Sequence, residues 1–402
     1  MPDTFHIRDP GSLERLLSKL RKVNRIAIDT EFLRERTYYP QLCLIQLATS
    51  EFVAVVDPLA SINLKPLYEL LTGEAEILLH AGAQDLEILR DRTGTLPSHV
   101  FDTQVAAALI GLGETVGYSR MIETLLKIKL RRSEAYTDWS ARPLQMDQVA
   151  YAIDDVRYLF DCHAQLLSDL EGLGRLNWAR EEFRALLDRV RDIQRPELAW
   201  QRVSGARSLS GLRLATLEEL ASWREHAAME RNIPRQRVVP DRVLVELARR
   251  RPRNEIQLRR LRGLHSNEVA RSGHALLDIV RVAAERDPGS WPAWPEPPLH
   301  TRDPNINVVA TLLDAFLRAT AMEKRLAPRL LGNRQQLERL VQLHLKGTPS
   351  VEELKRIGLM RGWRREAIGE DLLRVLEGRV ALRIDGHPVN YRLAVETETE
   401  DG

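Results

Sequence analysis

Three short runs rich in Val, Ile and Leu follow one another closely near the start of this chain: Arg25–Phe32, Leu42–Ala48 and Phe52–Val56. A parallel pair needs a crossover of a dozen residues or more, so runs this close are predicted to pair as adjacent antiparallel strands. A fourth run, Ile77–Leu79, is predicted as a strand as well. Helical periodicity marks Ser12–Lys22, Leu64–Leu71, Asp85–Arg92, Thr103–Leu109, Tyr118–Leu125 and Met146–Leu170. The interleaved order predicts one mixed sheet flanked by helices over residues 1–195. From about Pro196 the pattern changes, and no strand is expected for over 180 residues. Residues 211–288 read as a helical domain whose first helix lies near Leu214–Arg231. The proline-rich stretch Asp287–Pro298 breaks it from a second helical domain of similar length, 305–380. The tail, 381–402, is expected to add a short strand pair around Gly386 before a disordered acidic end.

Composition narrows the class. With 44% hydrophobic and 29% charged residues, the 402-residue chain reads as a soluble globular protein of two or three domains. No apolar run approaches the ~20 residues of a membrane span, and Met1–Arg8 lacks the basic start and apolar core of a signal peptide. The cysteines, Cys43 and Cys162, both lie in apolar segments and are expected as buried thiols in a reducing compartment, the cytoplasm. No Cys/His spacing suits zinc. The absence of a long heptad pattern favours a monomer. Residues 1–199 carry 24 Lys/Arg against 30 Asp/Glu, a net of −6, whereas residues 200–380 carry 33 against 22, a net of +11. An acidic front and a basic back fit chemistry in one and polyanion binding in the other. The plainer alternative for the basic excess is a solvated helical surface.

Asp29 and Glu31 end the first strand pattern, two residues apart and therefore on one face. Asp85 follows the Ile77–Gly82 run, and Tyr151 and Asp155 lie one helical turn apart. Four acidic groups converging on one place require neutralising cations. Two divalent ions about 3.5–4 Å apart can cleave a phosphodiester, one activating water and the other steadying the leaving oxygen. Hard oxygen ligands suit Mg²⁺ or Mn²⁺. Taken singly, each motif has an ordinary reading: a solvated strand end, a carboxylate at a helix N-terminus, an amphipathic helix face. The joint occurrence is the specific signal.

In that order and context the motifs resemble those of the DEDD exonuclease superfamily, tyrosine-bearing branch, and most closely the ribonuclease D family. Supporting stretches are Ile28-Asp-Thr-Glu-Phe32, Thr37-Tyr-Tyr-Pro-Gln-Leu42, Leu44-Ile-Gln-Leu47, Leu79-His-Ala-Gly82, Gln84-Asp-Leu-Glu87 and Thr137-Asp-Trp-Ser-Ala-Arg-Pro-Leu144. The resemblance implies an α/β RNase H-like exonuclease domain with a mixed sheet, followed by two all-α HRDC-type domains, the first near 211–288 being the better match. It also implies a metal-dependent 3′→5′ exoribonuclease that releases nucleoside 5′-monophosphates and trims tRNA precursors. Asp29, Glu31, Asp85 and Asp155 would hold two divalent cations, and Tyr151 would position the attacking water. Asp154 points about 100° away from Asp155 on a helix and is expected to be peripheral.

Further expectations concern substrate contacts. Thr30 and Phe32 are expected to flank the terminal nucleotide, and His80 to contact sugar or phosphate near the scissile bond. Trp139 and Arg142 are expected to line the RNA path. For Phe32, His80 and Trp139 core packing is the competing reading. Asp102 either orients a ligand or caps the helix at Thr103. Eleven Arg between Arg231 and Arg262, including Arg249, Arg250, Arg251 and Arg253, are expected to face RNA phosphates. A metal site of this kind does not distinguish sugars, so a DNA exonuclease is an alternative; a non-catalytic nucleic-acid tether is another, opposed by the intact acidic set.

Overall fold

The computed structural model describes residues 3–130, 138–193, 195–294, 304–385 and 392–397. The chain divides into two compact units, one of residues 1–100, 132–157 and 185–298, the other of residues 101–131, 158–184 and 299–402.

The elements through residue 193 are, in order, β1 (Asp3–Ile7), α1 (Pro10–Leu20), β2 (Arg25–Leu33), β3 (Gln41–Ala48), β4 (Phe52–Val56), α2 (Lys65–Leu71), β5 (Glu76–Leu79), α3 (Ala83–Thr93), β6 (His99–Asp102), α4 (Thr103–Leu109), α5 (Tyr118–Leu126), α6 (Met146–Arg157), α7 (Leu159–Gly172) and α8 (Leu176–Ile193). The six strands form one sheet in the order β1-β4-β3-β2-β5-β6. The β2–β3 and β3–β4 pairs are antiparallel, as the short connections require, while β1 runs parallel to β4 and β2 parallel to β5. The sheet is therefore mixed. β3 and β4 are buried along almost their whole length, which explains their near-continuous apolar sequences.

Three features depart from the sequence reading. β1 and β6 are strands that the apolar pattern did not mark; they are short and lie at the two edges. The expected helix Met146–Leu170 is two helices interrupted at Tyr158, whose backbone (φ −100°, ψ 3°) leaves the helical region. α8 was not anticipated either.

In the first unit, α9 (Gly211–Arg231), α10 (Arg235–Val238), α11 (Asp241–Arg250), α12 (Glu255–Arg259) and α13 (Ser266–Glu285) surround one apolar core that includes Leu217, Leu220, Leu244 and Leu276. The loop after β2 is fastened to this bundle. Tyr38 packs against its core, and the Tyr38 hydroxyl donates to Glu225 Oε1 at 2.6 Å. The Tyr39 amide donates to Asn232 Oδ1 at 3.1 Å. Glu225 is fully buried, and its charge is balanced by Arg235 at 3.6 Å and Arg202 at 3.9 Å. A buried carboxylate is tolerated only with such partners.

In the second unit, helices continue from α14 (Pro304–Glu323) through α15 (Pro328–Leu331), α16 (Arg334–Leu345), α17 (Val351–Leu354) and α18 (Gly362–Arg364) to α19 (Glu370–Leu376). Arg175 ties the end of α4 to the end of α14 by donating to the carbonyls of Leu109, at 2.6 Å, and Lys324, at 2.5 Å. Trp363 stacks on Trp178 with ring centroids 4.8 Å apart and donates its indole N–H to Glu182 at 2.8 Å. A strand pair, β7 (Val380–Asp385) and β8 (Arg392–Thr397), closes the chain as expected. The anticipated turn at Gly386, Thr137, the prolines at 295 and beyond, and the acidic end at 398–402 lie outside the described residues. Among the described residues no helix is long and apolar enough to cross a membrane. Both cysteines are buried and free.

Candidate active site

β2 carries Asp29 and Glu31 on one face, and its register with β3 is regular from Ala27↔Ala48 to Glu31↔Leu44. There it shifts: Phe32 pairs with Leu42, leaving Cys43 as the extra residue of a bulge. Bulges turn a strand locally, and this one lies immediately after Glu31. Asp85 arrives by a tight turn from β5 into the first turn of α3. Ala81 takes a left-handed φ of 56°. At Gly82 a Cβ would lie 2.7 Å from the Leu79 side chain, so only glycine allows this approach. α6 lies across β2, β3 and β4 and supplies Tyr151 and Asp155 from one face.

Three elements, β2, α3 and α6, bring the acids together. Single carboxylate oxygens of Asp29, Glu31 and Asp155 all lie within 4.8 Å of one another. Asp85 is buried, and the Thr30 hydroxyl donates to its Oδ1 at 2.5 Å. Its charge is felt by Asp29 and Glu31. Burial, reinforced by Asp85, Asp155 and Glu31, holds the Asp29 carboxyl well above the usual range. Glu31 is raised to about 8 by burial and then by Asp155 and Asp85. Asp155 is raised to about 7, again mainly by burial, with the Tyr151 hydrogen bond opposing and Asp154 adding to it. Burial and the neighbouring acids also raise the Tyr151 phenol, which therefore stays protonated at neutral pH. An all-oxygen cluster that resists its own ionisation fits hard divalent cations, whose charge would favour the ionised form. Asp154 turns aside and pairs with Arg157 at 3.3 Å.

The remaining sequence candidates take varied places. Thr30 is buried, and its one hydroxyl proton is committed to Asp85. Phe32 and His80 are half-buried, at the bulge and just past the end of β5. Trp139 and Arg142 differ from expectation. Trp139 is only 9% exposed and packs in a cluster with Cys43, Leu44, Val55 and Ala152, its ring 6.0 Å from that of Tyr151. It supports Tyr151 from behind. Arg142 spends all five of its N–H groups on Asp57 (2.7 Å, twice) and on the carbonyls of Cys43, Trp139 and Ala141. It is a clamp on the segment before α6, with no donor left for RNA. Asp102 caps α4 by accepting from the Gln104 and Val105 amides. Sequence reasoning missed the Asp57 partner of Arg142 and the Arg34–Glu87 ion pair at 2.8 Å, because neither is local in the chain.

The basic helical surface is partly self-neutralised. Arg249 and Arg250 share Glu246, at 3.3 and 2.9 Å, and Arg259 pairs with Glu255 at 2.5 Å. Arg251 occupies the left-handed position that ends α11. Arg237, Arg242, Arg253, Arg260 and Arg262 are exposed and make no ion pair among the described residues.

Comparison with known proteins agrees with this geometry. A 3′-5′ exonuclease family model matches residues 5–171, and an HRDC domain model matches residues 213–280. A ribonuclease D from Zymomonas mobilis is 36% identical over 385 residues, covering 94% of this chain and 95% of that one. The chain belongs to the ribonuclease D family. The ribonuclease D of Gluconacetobacter diazotrophicus is 37% identical, with 96% of each chain covered. The crystal structure of Escherichia coli RNase D, an exoribonuclease involved in structured RNA processing, matches with a TM-score of 0.77 at 34% identity, covering 94% of this chain and 99% of that one. As a ribonuclease D the protein is a 3′→5′ exoribonuclease that binds RNA and depends on divalent metal.

Proposed function

We propose that this ribonuclease D hydrolyses RNA 3′ ends to nucleoside 5′-monophosphates, acting on tRNA precursors in the cytoplasm as a monomer. The observation that carries the site assignment is the gathering of Asp29, Glu31 and Asp155 oxygens within 4.8 Å of one another. With Asp85 these are the proposed ligands of two Mg²⁺ or Mn²⁺ ions. When bound, such ions supply charge neutralisation on the phosphate and acidify an attacking water. The chain's own work is positional. Thr30 aims Asp85, Trp139 backs the Tyr151 ring, and the protonated Tyr151 hydroxyl orients the attacking water by hydrogen bonding. Phe32 and His80 are the proposed contacts for the terminal nucleotide.

The working division of the chain is an exonuclease domain over 1–195, an HRDC domain over 211–288, a second HRDC-like domain over 305–380 and a tail. The exposed arginines of the first helical domain, Arg253 included, and the half-buried Arg251 are proposed to meet backbone phosphates, with Arg249 and Arg250 contributing once Glu246 is outcompeted. The similarity to E. coli RNase D, whose role is in structured RNA processing, supports a folded RNA substrate. The test compares the parent with Asp155→Ala on a tRNA precursor and on single-stranded DNA, with Mg²⁺ or EDTA. Mononucleotide release from RNA, lost on substitution or chelation, is expected. Activity that survives both treatments, or that appears on DNA alone, refutes the reading.

A further inference from the structure

β3 reads Gln-Leu-Cys-Leu-Ile-Gln-Leu-Ala, and its second glutamine, Gln46, is a polar residue in an otherwise apolar buried strand. Gln46 is fully buried, with 0% exposure. Neither its Oε1 nor its Nε2 makes a hydrogen bond to any described residue. A buried primary amide with both ends unpaired is costly, and in a native protein it calls for a partner supplied by water or a ligand.

The strand register says where that partner lies. Gln46 stands directly opposite Asp29 on β2 and opposite Val55 on β4. Directly paired residues of antiparallel strands share a face, so Gln46 faces the same side as Asp29, Glu31 and the covering helix α6. Its neighbours on that face, Leu44 along the strand and Val55 across it, belong with Ala152 of α6 to the apolar cluster against which Tyr151 packs. Among its cross-strand neighbours, Asp29 is the polar one.

We propose that Gln46 is a positioning residue whose amide N–H, through one ordered water, fixes the Asp29 carboxylate for the divalent cation. A carboxylate that ligates a metal with one oxygen still needs hydrogen bonds at its free lone pairs, and such supporting groups raise affinity about tenfold to a hundredfold. Thr30 already gives Asp85 this kind of support; Gln46 gives it to Asp29. The inference rests on Asp29 being a cation ligand.

The test uses Gln46→Met, which keeps the unbranched shape, and Gln46→Leu, with Asp29→Asn as the control. Mn²⁺ binding is measured by calorimetry, melting temperature is measured in EDTA, and kcat and KM are measured on an RNA substrate. In both Gln46 variants Mn²⁺ affinity should fall about tenfold or more. kcat should fall with KM little changed, and the metal-free melting temperature should hold or rise because an unpaired polar group has gone. Unchanged Mn²⁺ affinity overturns the proposal, as does a lower metal-free melting temperature in both variants, which would make the amide a support of the fold. If Asp29→Asn itself binds Mn²⁺ like the parent, the ligand assignment fails first and the proposal with it.

Discussion

Asp155→Asn removes one ionisable group from the crowded site and keeps its shape. In the folded chain Asp155 is raised from 3.8 to about 7. A carboxyl with a raised folded-state pKa binds its proton more tightly folded than unfolded. Its contribution is therefore present in acid and lost as pH climbs through the folded-state value. The shift is worth about 4 kcal/mol. In EDTA the parent should lose up to that much stability from this one group between about pH 4 and pH 8. The Asp155→Asn variant should be spared the loss. At roughly 2 °C per kcal/mol for a unit of this size, the variant should melt on the order of 8 °C higher than the parent at pH 8. Mg²⁺ should narrow the gap by stabilising the parent more, while RNA hydrolysis by the variant stays abolished. The assay is thermal unfolding in EDTA at several pH values, followed by circular dichroism. Parallel pH profiles for parent and variant would show that Asp155 pays no cost for its place among the other acids, and the reasoning about cation demand would fall.

Tyr151→Phe keeps the ring beside Trp139 and deletes the hydroxyl; hydrolysis should drop about 10²–10⁴-fold at unchanged melting temperature, and a loss below tenfold would relieve the phenol of its role. In a double-mutant cycle, Tyr38→Phe and Glu225→Gln should show a coupling of about 1.5–3 kcal/mol in unfolding, the range for a hydrogen bond to a buried charge; additive effects would mean the 2.6 Å contact contributes nothing. Arg142→Lys replaces five donors by a single ammonium and should cost about 2–3 kcal/mol, with RNA affinity unchanged; weaker RNA binding at full stability would restore it to the RNA path. Arg253→Glu should lower the slope of log affinity against log salt by about one, and a slope equal to the parent's would remove this arginine from the interface.

The sheet's centre was legible because β3, β4 and the first half of β2, Ile26–Ile28, are buried on both faces and so carry dense apolar runs. β1 and β6 escaped because edge strands of five and four residues need no such pattern. The break at Tyr158 escaped because no glycine or proline marks it and the apolar periodicity runs on either side. At the site, the acids announced themselves through spacing within a strand and within a helix. Trp139 and Arg142 did not, because what they touch, Tyr151 and Asp57, is distant in sequence. Gln46 became visible only with the pairing of β2 and β3.

The anchoring of Tyr38 bears on how truncated proteins should be judged. A shortened chain that ends ahead of Gly211 would strip the cover from the Tyr38 ring and leave its hydroxyl without Glu225. The loop concerned begins directly after the strand that holds Asp29 and Glu31. A fall in turnover by such a fragment would therefore mix two causes, lost grip on RNA and a slackened loop next to β2, and only a dinucleotide substrate too short to reach the helices would separate them.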